Sequence, residues 1–267
     1  MTKQGTRGVR GGVSREQIQD LSSADPIAGV PGPGRWLVFD YLPTALFSLK
    51  MSLATSSVGK SLLVPTPYAI KMSIVDAALR TGWGRDVGVL VRELAKTGLR
   101  IGVPERATVT HTIVKIRQEP KDKKQGPPYI SAVAYREFVH YRGLLRWAFD
   151  MTSWSDEMTA AVIDLAPAVN YIGKRGSFIQ YVGVSRLPEL TAEFTQPVMT
   201  DGLRVISRAH ITTLDDFGPD ANLDALNSYN DAPIKRDRHR KFVETVVPLG
   251  VVNVGPGFTE YCWAGSS

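Results

Sequence analysis

The chain has 267 residues, 43% of them hydrophobic, enough apolar side chain to bury a core and to exclude wholesale disorder. Its 32 Lys and Arg against 26 Asp and Glu leave a net charge of +6, which leans towards a polyanionic partner. The single cysteine, Cys262, excludes an internal disulfide and a cysteine-based metal centre, and without a signal-peptide stretch or an apolar run near the ~20 residues that span a bilayer, a soluble cytoplasmic protein with no membrane contact is expected.

Residues 1–34 hold seven glycines and three prolines and read as a flexible amino-terminal arm, with Arg7, Arg10 and Arg15 available to an anionic partner. Trp36 to Leu53 is rich in Leu, Val, Phe and Tyr, interrupted by Pro43, and reads as a bent first strand. Thr66-Pro67, a capping residue followed by proline at the first helical position, opens a helix that Gly82 ends, with Ile70, Ile74 and Ala78 at a four-residue spacing. A shorter helix is predicted from Asp86 to Thr97, stopped by Gly98.

The β-branched stretch 107–117 and the stretch 129–136 read as strands joined by the polar insert QEPKDKKQGPP, a hairpin with a long basic tip. Leu144–Phe149 reads as a further strand. Ser155 starts a helix carrying Asp156 and Glu157 in its first turn, where the helix dipole favours acids, and Pro167 ends it. Tyr171–Val184 supplies a turn, Gly173-Lys174-Arg175-Gly176, and another strand. Strand, helix, strand, hairpin partner, helix, strand is the β-α-β-β-α-β order of an α+β, ferredoxin-like fold, a framework that hosts many functions. Past residue 190 more strands are expected at 203–214, 242–254 and 258–263, with a polar loop at 215–233. The division implied is an arm (1–34), a ferredoxin-like domain (35–190) and a C-terminal β-rich extension (191–267).

Chemistry-bearing motifs are few. Ala54-Thr-Ser-Ser-Val-Gly59-Lys60-Ser61 approaches a phosphate-binding P-loop, but Ala54 replaces its first glycine, and Pro65 and Pro67 disrupt the helix that should follow. A Ser- and Gly-rich loop with a lysine still suits a backbone phosphate. The hairpin insert carries Lys115, Arg117, Lys121, Lys123 and Lys124 against Glu119 and Asp122, a phosphate-binding tip or a solvated one. Lys174 to Val182 loosely matches an RNA-recognition signature, with Phe178 and Tyr181 expected to face the core. A second basic cluster spans Lys235 to Lys241. The four histidines, His111, His140, His210 and His239, show no metal-ligand spacing, and there is no nucleophile elbow. No catalytic residue, metal or cofactor is therefore assigned, although His111 with Lys115 has the residue types for metal-free RNA cleavage.

These segments in this order resemble the CRISPR-associated RAMP superfamily, and within it the Cas-five family, the subunit that caps the five-prime end of the guide RNA in type I Cascade complexes. The resemblance rests on the Ser- and Gly-containing loop after the first strand, Leu63-Val-Pro65-Thr-Pro67-Tyr68 leading into a helix, and the basic hairpin. It extends through Tyr135-Arg-Glu-Phe138-Val139, Arg146-Trp147-Ala148-Phe149 and Tyr171-Ile172-Gly173-Lys174-Arg175-Gly176, covering about residues 35–190.

The resemblance implies that the hairpin at 107–136 is a thumb lying across the guide RNA, with Lys121, Lys123 and Lys124 on phosphates. Ser56, Ser57, Gly59 and Lys60, with Thr66, Tyr68 and Lys71, would grip the five-prime handle, and Lys174 and Arg175 would add charge beside it. Implied partners are guide CRISPR RNA, backbone-forming RAMP subunits, the large subunit and, indirectly, target DNA, in a ribonucleoprotein of antiviral defence. In one subtype the family member cuts precursor RNA with a Tyr, Lys and His group, which no residue set here matches position by position. A metal-independent RAMP endoribonuclease using His111 or His140 is the alternative, and a P-loop nucleotide hydrolase a third reading.

Overall fold

A computed structural model describes residues 34–50, 58–120, 129–198, 208–227, 233–263 and 265. The expected arm at 1–34 lies outside these residues but for Gly34. Four antiparallel strands form the central sheet: β1 (Trp36–Pro43), β3 (Leu99–Gly102), β6 (Leu145–Asp150) and β7 (Ile179–Leu187), in the order β3-β6-β1-β7. With helices after the first and third of these strands, this is the mixed α+β arrangement expected, and its strand order is compatible with a ferredoxin-like core.

The helices form where the sequence places caps. In α1 (Pro67–Thr81) the Thr66 side chain accepts a hydrogen bond from the Ala69 amide, and Gly82 closes the end at φ 62°, a left-handed conformation that glycine adopts without a Cβ penalty. Asp86 caps α2 (Val87–Lys96) and Ser155 caps α3 (Asp156–Leu165) in the same way. Leu37, Phe39, Tyr41, Trp147 and Phe149 from the sheet join Ile70, Ile74, Leu94 and Val162 from the helices in one core. Tyr41 and Trp147 lie 4.1 Å apart between ring centroids, and the Tyr41 hydroxyl donates to the Ala166 carbonyl at 2.9 Å, so its polar end is satisfied inside the core. Each such burial contributes roughly 1.5–3 kcal/mol.

The assignment of strands to this sheet differs from the expected one. The stretches 107–117 and 129–136 pair with each other outside it, as β4 (Arg106–Gln118) and β5 (Ile130–Arg142). The second core strand is β3, four residues immediately after Gly98, and the third is β6. The first strand ends at Pro43; beyond it Phe47 bridges Val139 and Lys50 bridges Ser61.

The hairpin belongs to a five-stranded sheet, ordered β11-β12-β4-β5-β2, that includes β2 (Val58–Gly59), β11 (Leu249–Gly255) and β12 (Phe258–Trp263). A smaller sheet holds β8 (Gln196–Pro197), β10 (Arg240–Val247) and β9 (His210–Phe217). The expected strand at 242–254 is thus two strands, β10 and β11, divided at Pro248, whose missing N–H breaks a ladder. A short helix, α4 (Leu223–Leu226), lies in the expected polar loop. Among the described residues, no helix is long and apolar enough to cross a membrane.

Candidate nucleic-acid interface

The hairpin is built by alternation. Thirteen antiparallel pairs run from Arg106↔Arg142 to Gln118↔Ile130, and one face starts with Ala107, Val109, Val139 and Tyr141 buried in the core. Further out the same face leaves the body of the protein, so Ile113 and Val133 become 72% and 68% exposed beside exposed Lys115 and Arg117. Exposed apolar side chains between cations suit unpaired bases with their phosphates alongside.

The loop and the hairpin, separate in sequence, meet here. The strand β2 runs parallel to β5, with Val58 opposite Tyr135 and Gly59 opposite Arg136. A Cβ on Gly59 would stand 2.8 Å from the Tyr135 carbonyl oxygen, so this approach needs glycine. Exposed Lys60 follows. The Ser61 amide then donates to Glu137 Oε2 at 2.8 Å, and the Ser61 hydroxyl oxygen accepts from the Leu49 amide at 3.1 Å, clasping the segment between hairpin and Lys50. No helix follows Lys60 until Pro67, so the row of helical amides that a P-loop presents to phosphates is missing from this lysine.

Leu49 and Lys50 lead into a pocket of about 330 Å³ lined by Thr66, Tyr68, Lys174, Asp215 and Arg240 among others. Tyr68 packs edge-on against Phe217 at 5.3 Å, and the Arg240 guanidinium lies 4.4 Å from its ring centroid. Burial pushes the Tyr68 hydroxyl above its ordinary pKa, with Arg240 opposing and Asp215 adding to the shift; it stays a neutral donor. Arg240 is paired with Asp215. Lys174 and Arg175 stand exposed in a turn whose Gly173 and Gly176 take φ 67° and 107°. Among the described residues, Lys60, Lys115, Arg117, Lys174 and Arg175 make no ion pair with an acid and remain available to an anion.

Two of the expected contacts have structural work. Thr66 is buried as the cap of α1. Lys71 is fully buried: its Nζ lies 2.7 Å from Asp216 Oδ1 and donates to the Thr97 carbonyl at 2.8 Å. Burial lowers its pKa while Asp216 raises it. This lysine ties α1 to β9 and is not presented to a ligand. Ser56, Ser57, Lys121, Lys123 and Lys124 lie outside the described residues.

Sequence reasoning missed Lys50, Tyr135 and Glu137, and reached Arg240 only through the basic cluster at 235–241. The strand expected there began at 242, so nothing in the sequence separated Arg240, which opens β10, from its basic neighbours. In the RNA-recognition-like segment, Tyr181 packs against Tyr41 as expected, 5.7 Å between centroids, whereas Phe178 is 50% exposed. A compact polar group sits at mid-hairpin: His111 Nδ1 is 2.6 Å from the Tyr135 hydroxyl and 3.2 Å from Glu137 Oε1, with Glu137 buried. Burial raises the Tyr135 pKa, and the Glu137 carboxylate raises it further. His140 faces the other side of the hairpin, opposite Thr108. Among the described residues no group of His, Cys, Asp and Glu is arranged to hold a metal ion.

No family model matches the chain, and no curated protein matches it. A solved structure described as a CRISPR protein from Archaeoglobus fulgidus is similar over 85% of this chain and 91% of its own, with a TM-score of 0.40 and 10% identity.

Proposed function

We propose that the protein is a cytoplasmic CRISPR RNA-binding subunit of a type I Cascade-like complex, capping the five-prime handle of the guide RNA and helping to nucleate assembly with RAMP and large subunits. The observation that carries the RNA-binding part is the convergence of Lys115 and Arg117 on the hairpin, Lys60 beside it, and Lys50 and Lys174 at the adjoining pocket. The CRISPR part rests on the resemblance of the sequence pattern. Backbone contacts of this kind position an RNA without reading it, and each phosphate neutralised steepens the salt dependence by roughly 0.7 in log affinity against log salt.

The test is a titration of fluorescent single-stranded repeat RNA from low to physiological salt. Replacing Lys60, Lys115 and Arg117 together with alanine weakens binding to every sequence and lowers the slope by about 2, while the melting curve stays put because exposed cations contribute little to stability. Salt-independent binding, or a triple variant that binds as the parent does, overturns the reading.

One observation favours a second reading, metal-independent RNA cleavage: the His111–Tyr135 contact places an acid–base pair at the basic hairpin. Lys115 is four residues along β4 from His111, roughly 13 Å by strand rise, so the two do not act on one bond. Cleavage of repeat RNA in EDTA that disappears in His111→Ala would establish this alternative; intact RNA rejects it.

A further inference from the structure

The two edges of the central sheet are treated differently. At β3 the edge is plugged: the Ile101 amide donates to Thr195 Oγ1 at 3.0 Å, the Thr195 amide to the Ile101 carbonyl at 2.9 Å, and the Val103 amide to the Glu193 carbonyl at 3.1 Å. At β7 the outer edge carries no partner strand among the described residues. After Ile179, whose amide donates to the Asn170 carbonyl at 3.1 Å, no strand among the described residues pairs with that side of Gln180–Leu187.

An open edge presents a row of backbone donors and acceptors to any extended chain, and proteins blunt such edges with lysine, proline, strong twist or a β-bulge, of which this one carries only the last. Ile179-Gln-Tyr-Val-Gly-Val-Ser185 has no charge and no proline. Its one irregularity is a bulge at Val182, left over between the Asp40↔Gly183 and Tyr41↔Tyr181 pairs, and Val182 is 50% exposed. A Cβ built on Gly183 meets nothing within 4 Å, so there is room over the middle of the strand. At its entry end Leu42, Leu46 and Phe178 are all exposed, joined to it through the Leu42↔Gln180 pair and the Thr44 amide bond to the Phe178 carbonyl. On a chain of net charge +6, seven uncharged strand residues beside exposed apolar side chains do not suit a phosphate backbone; they suit an uncharged peptide.

We infer that β7 accepts a fifth strand: an extended, uncharged, aliphatic-rich segment of another protein chain adds to its outer edge through main-chain hydrogen bonds, with apolar side chains against Phe178 and Val182. The surface adjoins the turn that carries Lys174 and Arg175, where the Ser177 amide donates to the Lys174 carbonyl at 3.1 Å, but the main-chain edge beyond it carries no cation from Ile179 to Ser185, and the inference does not depend on the RNA-binding reading.

Hydrogen exchange of the full-length protein tests this with the probe acetyl-Thr-Val-Thr-Val-Thr-Val-Thr-amide and the same peptide N-methylated at every residue, which removes the donors of both its edges. The expected result is slowed exchange of Gln180–Ser185 amides with the first peptide and none with the second, and loss of protection in Val182→Lys, which puts a charge on the edge. That variant keeps the parent's melting curve and its affinity for repeat RNA, so loss of strand binding is separable from failure of either the fold or the RNA reading. Should Val182→Lys fail to fold, the N-methylated peptide still decides. No protection by the first peptide, equal protection by both, or protection of these amides by repeat RNA in place of peptide overturns the inference.

Discussion

Lys71 illustrates how burial decides what a charged side chain is for. Its position on the first helix after a proline-rich turn suits a phosphate contact, yet helical periodicity carries residue 71 inward with Ile70 and Ile74, and the ammonium is retained there only because Asp216 and the Thr97 carbonyl receive it. Replacing Lys71 with methionine removes the nearer cation of this carboxylate and leaves Asp216 with Lys241, 3.6 Å away, and the Phe217 amide at 2.7 Å. The expected loss is about 3 kcal/mol, read by urea unfolding, because a buried carboxylate stripped of its closest counter-charge costs more than the pair contributed. Adding Asp216→Leu recovers part of that loss. A single variant as stable as the parent would show that the pair is not buried in solution. Nothing in the sequence marks Lys71 as internal, since its partner lies 145 positions away on a strand whose only unusual feature is two successive aspartates.

At the scale of elements, legibility followed chemistry that acts locally. Thr66-Pro67, Gly82, Asp86 and Ser155 place the helix ends because caps satisfy backbone groups within a few residues. The strand β3 was missed because four residues carry too little alternation to register, and its hydrogen bonds are completed by Glu193–Thr195, far along the chain. The hairpin was visible from its β-branched runs, but its place outside the central sheet depends on β12, which sequence pattern alone could not assign to it. Gly59 is the element-level hinge of the candidate site. In Gly59→Ala the new Cβ would press on the Tyr135 carbonyl oxygen, so β2 must peel from β5, at a cost of about 1–3 kcal/mol. The variant should bind repeat RNA more weakly while the central sheet keeps its amide protection, a combination that hydrogen exchange and RNA titration read together. Unchanged RNA affinity would remove β2 from the interface.

For the whole molecule, the C-terminal third is interleaved with what precedes it. Asp216 receives Lys71, Phe217 packs on Tyr68, and β12 pairs with β4. A fragment ending at residue 190 would leave Lys71 charged and unpaired in an apolar setting and expose the flank of β4. We expect that fragment to lack a cooperative thermal transition and to bind the apolar dye ANS, signs of collapse without fixed packing. A cooperative melt would show instead that residues 35–190 fold as a domain and that the rest is an appendage, the division drawn from the sequence.

The pairing of β12 with β4 joins Phe258 to Thr110 and Cys262 to Arg106, and it sets a timetable for biosynthesis. A ribosome delivers β4 well before β12, so while the chain is still growing the hairpin lacks the strand that flanks it, and long-range pairings of this kind form late. The basic hairpin therefore acquires its flanking strand only after residues 258–263 have been made. A nascent chain stalled before residue 258 should capture repeat RNA poorly and gain that ability once β12 has emerged and paired, which would keep a basic protein from seizing transcripts during the earlier part of its own synthesis.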